Sequence, residues 1–387
     1  MSAMTLALFA IVTTEILPIG LLTPIGAEFR VPGGTAGLMM TMPGLLAAVA
    51  APTVTLATAR GDRRLMLCAL VLLLAVADFL TAAATAYWLV LVARVLVGIT
   101  IGGFWSIGVG LAGRLVGPAS AGQATAVVFA AVPLGSVLGV PAGTFIGDLT
   151  GWRTAFTAMG LLSTCALALL LLTLPALPPA AVTRPAVLRA LLRGTGTRYA
   201  LLMTFLIVMA HFAMYTYVTP FLRQVTGTDQ ARITGYLLIY GAAGVAGNFI
   251  GGALVTRAPR LAFGTAAATI AATTALLPVL GRTDAGALAL LIVWGLGYGA
   301  VPVCSQTWFA RAAPQAPEAA TVLFTASFQA TLAAGALTGG AIVDHTSLRA
   351  VMWCGAVVAG LVVAVAGAGG SELDQAGLDQ PIRPATT

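Results

Sequence analysis

Four ionisable side chains, Glu15, Asp78, Arg94 and His211, lie inside apolar runs of a 387-residue chain. Glu15 sits in FAIVTTEILPIGLL, with at least nine apolar or small residues on either side before another charge. A carboxylate at mid-membrane depth costs about 3 kcal/mol on insertion scales, so a chain that keeps one uses it. The chemistry available to it is binding a proton, an ion or a cationic group. His211 is the one histidine inside an apolar run, and it is one helical turn from Tyr215. It either faces a polar site or packs with its ring nitrogens bonded to a neighbouring hydroxyl.

Asp78 and Arg94 flank a tight turn near Ala86, each eight residues from it. At 1.5 Å per residue both lie about 12 Å along their helices, so equal depth predicts an ion pair. The alternative for Asp78 is a solvated place at the membrane surface. Arg94 is deeper relative to its flanks, and a role for it is to favour the ionised form of Glu15. Trp105, Tyr215, Tyr217, Tyr240, Asn248, Gln306 and Gln329 are further candidates to face a cavity. Tyr215 and Tyr217 are about 200° apart on a helix, so only one points at a given site, and the nearness of His211 favours Tyr215.

These residues need membrane helices to position them. The chain is 59% hydrophobic and 8% charged, against about 25% charged in soluble domains. Its net charge of +7 comes from 19 arginines without a lysine, beside 12 acids. The arginines fall in short gaps between apolar runs, which does not suggest nucleic acid. Cys68, Cys165, Cys304 and Cys354 lie within apolar runs without metal-ligand spacing, as packing residues and not a disulfide framework. The first run has no cleavage site and stays in the chain as a span.

About 20 apolar residues cross the hydrocarbon core. Breaks at charges and Gly/Pro clusters predict twelve spans: 4–27, 36–58, 65–84, 87–112, 122–147, 154–175, 199–221, 233–256, 261–280, 286–310, 319–343 and 350–369. With the termini cytoplasmic, 12 arginines fall inside and 6 outside, Arg94 being within a span, which orients the chain. The expected organisation is an N-terminal six-helix bundle over 1–175, a Pro- and Arg-rich cytoplasmic linker over 176–198, a C-terminal bundle over 199–370 and a disordered tail over 371–387.

The halves align at one offset of 196, which maps Thr23-Pro24 to Thr219-Pro220, Arg64 to Arg260, Gly139 to Gly335, Gly143 to Gly339 and Asp148 to Asp344. Glu15 maps to His211. Six spans per half make parallel repeats, whose interface is where such proteins bind solutes. The acid and the imidazole are then expected to face each other there.

The fifth span carries Gly135, Gly139, Gly143 and Gly147 at spacing four, with Pro141 between them as a kink site. The glycines form a stripe for close helix contact. Gly335 and Gly339 repeat it more weakly, and Gly241, Gly244, Gly247, Gly251 and Gly252 surround Asn248. Such surfaces suit helices that rock against each other.

On TTEILPIGLLTPI, ARVLVGITIGGFWS, LGVPAGTFIGDLTGWRTAF and HFAMYTYVTPFL, the chain resembles the twelve-helix major facilitator superfamily over about Thr5–Ala368. The resemblance is to its drug:proton antiporter branch, which includes arabinose and other sugar efflux permeases and chloramphenicol exporters. It implies that Arg94 and Gly98 belong to a fourth-helix motif linked to proton coupling. Gly135, Gly139, Pro141 and Gly143 match the antiporter motif, with Val140 separating a Gly and Pro that are usually adjacent. Asp62, Arg63 and Arg64 occupy the gating loop between the second and third helices, where the usual Asp position falls near Ala59.

The fold class expected is therefore an all-α membrane protein of twelve helices in two pseudo-symmetric halves. The function expected is export of a small molecule (a drug, antibiotic or sugar) by proton antiport. Glu15, Arg94 and Asp78 would handle protons, and Glu15, Trp105, His211, Tyr215, Asn248, Gln306 and Gln329 would bind substrate. Uptake by symport or facilitated diffusion is the alternative on the same fold. An intramembrane enzyme would need a nucleophile or metal constellation that the sequence lacks, and a sensor would need a sizeable soluble domain. The implied partners are substrate, protons and the bilayer, with no cofactor, metal or nucleic acid, and the protein is expected to be a monomer in a bacterial inner membrane.

Overall fold

The computed structural model describes residues 2–57, 61–108, 127–128, 131–177 and 185–368. Its long helices are α1 (Ser2–Phe29), α2 (Leu38–Ala57), α3 (Arg63–Ala82), α4 (Tyr87–Gly108), α5 (Ala131–Thr150), α6 (Trp152–Thr173), α7 (Thr195–Tyr215), α8 (Gln230–Arg257), α9 (Pro259–Leu280), α10 (Asp284–Ala312), α11 (Pro317–His345) and α12 (Leu348–Ala368). No strand occurs among the described residues. Eleven of the helices are long and apolar enough to cross a membrane, and α5 adds the shorter apolar stretch Val137–Thr150. Ala59, Arg60, Arg114, Arg184, Arg383, the whole of the 371–387 tail and parts of the fourth and fifth predicted spans lie outside the described residues.

The seventh span departs most from expectation. Predicted to run to 221, it ends at Tyr215 and is followed by a turn, the short helix Val218–Phe221 and a π-helical turn over Leu222–Thr226. Pro220 has no N–H for the carbonyl of Thr216, so the hydrogen-bond ladder fails there. Gly227 closes the segment at φ 79°, a left-handed conformation that suits glycine.

Packing follows one scheme twice. In the first half α1 packs on α5 and α6, α2 on α4, and α3 on α4 and α6. In the second half α7 packs on α11 and α12, α8 on α10, and α9 on α10 and α12. Adding six to each helix number in the first set produces the second. The halves meet where α2 packs on α11 and α5 packs on α8, and these two contacts exchange under the same operation.

The glycine stripe of α5 sets the position of α1. A Cβ on Gly143 would lie 1.9 Å from Leu17 Cδ1, and those on Gly135, Gly139 and Gly147 would meet Val12, Thr13 and Leu21. The corresponding pair in the second half meets backbone where the first meets side chains. A Cβ on Gly335 or Gly339 would lie 2.6 Å from the Met209 carbonyl oxygen or 2.4 Å from that of Ala213, so α11 meets the backbone of α7. Gly98 has a comparable duty, since its Cβ would fall 2.5 Å from the carbonyl oxygen of Pro43 on α2.

Asp62, Arg63 and Arg64 stand at the start of α3. Asp62 caps α3 by accepting from the Arg64 amide at 2.8 Å, and it also accepts from the Leu177 amide at 3.2 Å. The Arg63 amide donates to the Leu177 carbonyl, and Arg64 Nη2 donates to the Leu171 carbonyl. This cluster ties the start of α3 to the end of α6. At the opposite end of the second half, the Arg232 backbone amide and then its guanidinium hold the Asp229 carboxyl below the usual carboxylate range.

Candidate functional site

A cavity of about 450 Å³ lies between the halves and receives side chains from α1, α4, α5, α7, α8, α10 and α11. Glu15, Trp105, His211, Tyr215, Tyr240, Asn248, Gln306 and Gln329 all line it. Tyr217 does not; its hydroxyl donates to the Ala336 carbonyl at 3.1 Å, outside this cavity.

Glu15 is 8% exposed and bridges the halves. Its Oε1 accepts from Gln329 Nε2 of α11 at 2.9 Å. Gln329 Oε1 is buried without a partner. The expected partners, His211 and Arg94, are not the residues it bonds. His211 shares the cavity, but Arg94 points away from it.

Pro18 decides where Arg94 goes. It lacks the N–H that would bond the Thr14 carbonyl one turn earlier in α1. Arg94 Nη1 donates to that free carbonyl at 2.9 Å, and its Nη2 donates to Thr81 Oγ1 at 3.4 Å. The guanidinium also lies 5.1 Å from the centre of the Phe156 ring. Asp78, fully buried, accepts at Oδ2 from the hydroxyls of Thr14 and Ser163, both at 3.2 Å. The predicted Asp78–Arg94 ion pair is not formed. The ion pairs among the described residues are Arg153–Glu28, Arg232–Asp229 and Arg232–Asp284. Thr14 stands between the two groups, its carbonyl on Arg94 and its hydroxyl on Asp78, so equal depth was right but direct contact was not. Asp78 is also not at a solvated surface.

The α7/α10 wall of the cavity is aromatic. His211 stacks on Tyr298 with ring centres 3.3 Å apart and on Tyr215 at 5.1 Å. Tyr215 stacks in turn on Tyr240 at 4.7 Å. Trp294 lies edge-on to His211, Tyr215 and Tyr240, and its Nε1–H donates to His211 Nδ1 at 3.2 Å. Sequence reasoning missed Trp294, Tyr298 and Thr14. The spacing of Trp294 and Tyr298, four residues and so one helical turn, was a signal for the first two. Pro18 was a signal for the third.

Two hydrogen bonds join the halves at the end where α1 leads to α2. Asp344 Oδ1 at the end of α11 accepts from the Gly34 amide at 2.7 Å, and Thr234 on α8 donates to Thr144 on α5 at 2.9 Å. Small residues make this seal: a Cβ on Gly34 would lie 2.4 Å from Asp344 Oδ2, and one on Gly37 1.9 Å from the Tyr217 hydroxyl.

Twelve paired helices with a cavity between two equivalent halves describe a known architecture, and comparison with known proteins agrees. The model of the Major Facilitator Superfamily matches residues 4–321. The chain belongs to the Major Facilitator Superfamily. It is a multi-pass membrane transporter, not an enzyme. Among curated relatives of this superfamily chain is the transcription regulatory protein OpdE of Pseudomonas aeruginosa, 34% identical over 92% of this chain and 90% of that one. Another is the purine ribonucleoside efflux pump NepI of Salmonella paratyphi A, 29% identical over 89% of this chain and 87% of that one. Among solved structures, a bacterial homolog of the human lysosomal transporter Spinster, in an inward-facing and occupied conformation, covers 99% of this chain and 98% of its own, with TM-score 0.79 and 16% identity. The human organic anion transporter MFSD10 covers 94% of this chain and 98% of its own, with TM-score 0.67 and 17% identity.

Proposed function

We propose that this major facilitator exports a flat heteroaromatic solute of the purine nucleoside class in exchange for protons. The observation that carries the reading is the buried Glu15–Gln329 contact between the halves, beside a wall of stacked rings. The relatives named as purine ribonucleoside efflux pumps support the direction and the solute class.

In the proposed cycle Glu15 exchanges a proton while the cavity changes sides. Ionised, Glu15 accepts from the Gln329 amide nitrogen. Protonated, its hydroxyl has an acceptor available in the unpartnered Gln329 Oε1. Either state keeps a hydrogen bond across the halves, so the acid is held in place whether or not it carries charge. Aromatic faces take up a flat ring by stacking, at about 0.5–1.5 kcal/mol per good pair beyond the burial of area. Asp78 and Arg94 act at one remove, through Thr14, on the register of α1. The driving force is about 2.3 kcal/mol per charge per 100 mV together with the pH gradient.

The arginine distribution supports cytoplasmic termini in a bacterial inner membrane, and a monomer completes the reading. The Gly34–Asp344 seal then lies on the outer side and serves as the outer gate. Asp344→Ala removes the acceptor and shifts the carrier toward outward-open states. A cysteine placed at Leu332, in a background without the native cysteines, is expected to react several-fold faster with an impermeant thiol reagent added outside. Unchanged labelling would remove Asp344 from the gate.

The test of the function uses inside-out membrane vesicles with an acidic lumen. A labelled purine nucleoside accumulates in the lumen, and a protonophore abolishes the accumulation. Accumulation driven instead by a proton gradient of the opposite sign would establish symport, and accumulation indifferent to any gradient would sink proton coupling.

A further inference from the structure

We propose that His211 presents a fixed Nε2–H donor to the cavity and thereby selects solutes that carry a hydrogen-bond acceptor on a flat ring. The inference rests on the cavity being the substrate site. The indole Nε1 of Trp294 is only ever a donor, and it donates to His211 Nδ1 at 3.2 Å. Nδ1 must therefore carry a lone pair, which makes the imidazole neutral and leaves its proton on Nε2. Trp294 is 1% exposed, so water does not compete for this contact.

Aromatic rings surround the imidazole, Phe212 among them at right angles to it with ring centres 5.0 Å apart. Tyr298 and Tyr215 both lie nearly parallel to the imidazole, tilted by 5° and 23° at 3.3 and 5.1 Å, and two such rings can only occupy its opposite faces. The imidazole is thus approached at its edge. His211 is fully buried, lines the cavity, and its Nε2 has no hydrogen-bond partner in the protein. A buried donor left unpaired carries a cost that a ligand removes by bringing an acceptor, and an analogue without the acceptor does not remove it. Glu15 lines the same cavity and accepts when ionised, so the two pseudo-equivalent positions offer the solute opposite hydrogen-bond polarity.

The test reads the imidazole directly. The chain has two histidines, so His345→Gln leaves His211 as the only one, and 15N-histidine labelling of that full-length protein in nanodiscs reports a single ring. The expected spectrum shows a protonated Nε2 and a bare Nδ1, and Trp294→Phe is expected to convert it to a mixture of tautomers. A proton on Nδ1, or on both nitrogens, overturns the proposal. Adenosine is then added alongside its 1-deaza, 3-deaza and 7-deaza analogues, each with one ring nitrogen replaced by CH. Adenosine should shift the Nε2–H resonance, and one of the three analogues should bind roughly tenfold to a hundredfold more weakly. His211→Phe should abolish that discrimination. Equal binding of the three analogues by His211 protein, or no shift with saturating adenosine, overturns the proposal. Vesicle accumulation keeps the two readings apart: transport without a shift sinks only the donor, and a shift without gradient-driven transport sinks only the antiport.

Discussion

Glu15→Gln is expected to abolish gradient-driven accumulation while the protein remains folded. The amide is close in shape to the carboxyl, and it retains a hydrogen-bonding partner in Gln329. What it loses is the ability to exchange a proton. With one proton per solute, each pH unit is worth about 1.4 kcal/mol, so a gradient of about two units supports up to ~100-fold accumulation. In the variant that ratio should fall to about one, measured in vesicles with and without the gradient. Solute exchange at equilibrium, which moves no net proton, separates the two roles of the residue. Exchange that survives makes Glu15 a proton carrier alone, whereas exchange that disappears makes it a ligand for the solute as well. Because the substitution removes a carboxylate from a buried place, the variant should melt no lower than the parent. If gradient-driven accumulation persists in Glu15→Gln, the proton carrier is elsewhere, and Asp78 is the next carboxyl to replace.

Arg94→Leu is expected to cost stability as well as transport. Its guanidinium supplies the donor for the Thr14 carbonyl that Pro18 leaves unbonded, and it is the buried positive charge nearest in role to Asp78. Removing one member of a buried charge arrangement costs about 3–5 kcal/mol, mostly through the charge left behind. The variant should therefore melt well below the parent in detergent. Asp78→Asn on top of Arg94→Leu should restore a large part of the loss, because the stranded carboxylate is gone. The Thr14 carbonyl would still lack its donor, so restoration should be incomplete. A double variant that melts no higher than Arg94→Leu would show that the two charges are independent.

Much of this architecture was legible from composition and punctuation. Apolar runs of about 20 residues leave few alternatives to helices in a bilayer, because every backbone polar group must be bonded within its own segment. The repeat was legible because both halves use the same packing solution, and residues such as Gly139 and Gly335 sit at equivalent contacts. The seventh span was misjudged at its end although Pro220 was in view, because hydropathy continues past the point where the hydrogen-bond ladder stops. Asp62, Arg63 and Arg64 occupy the loop that the resemblance assigns to gating, and only the structure gave the contacts of Asp62 and Arg64 with Leu177 and Leu171.

The sequence by itself pointed to a chain that spans a membrane many times, in two related halves, with Glu15, Arg94 and His211 inside spans; that Asp78 is buried and not solvated at the membrane surface was decided by the structure. Depth follows from the distance along a helix to the nearest polar break, and that is local information. Only the tertiary structure decided the partners: Gln329 for Glu15, the Thr14 carbonyl for Arg94, and Trp294 for His211. The reason is geometric. Residues 314, 80 and 83 positions apart come together only when helix rotation and the crossing of neighbouring helices are set, and these depend on packing along every face at once.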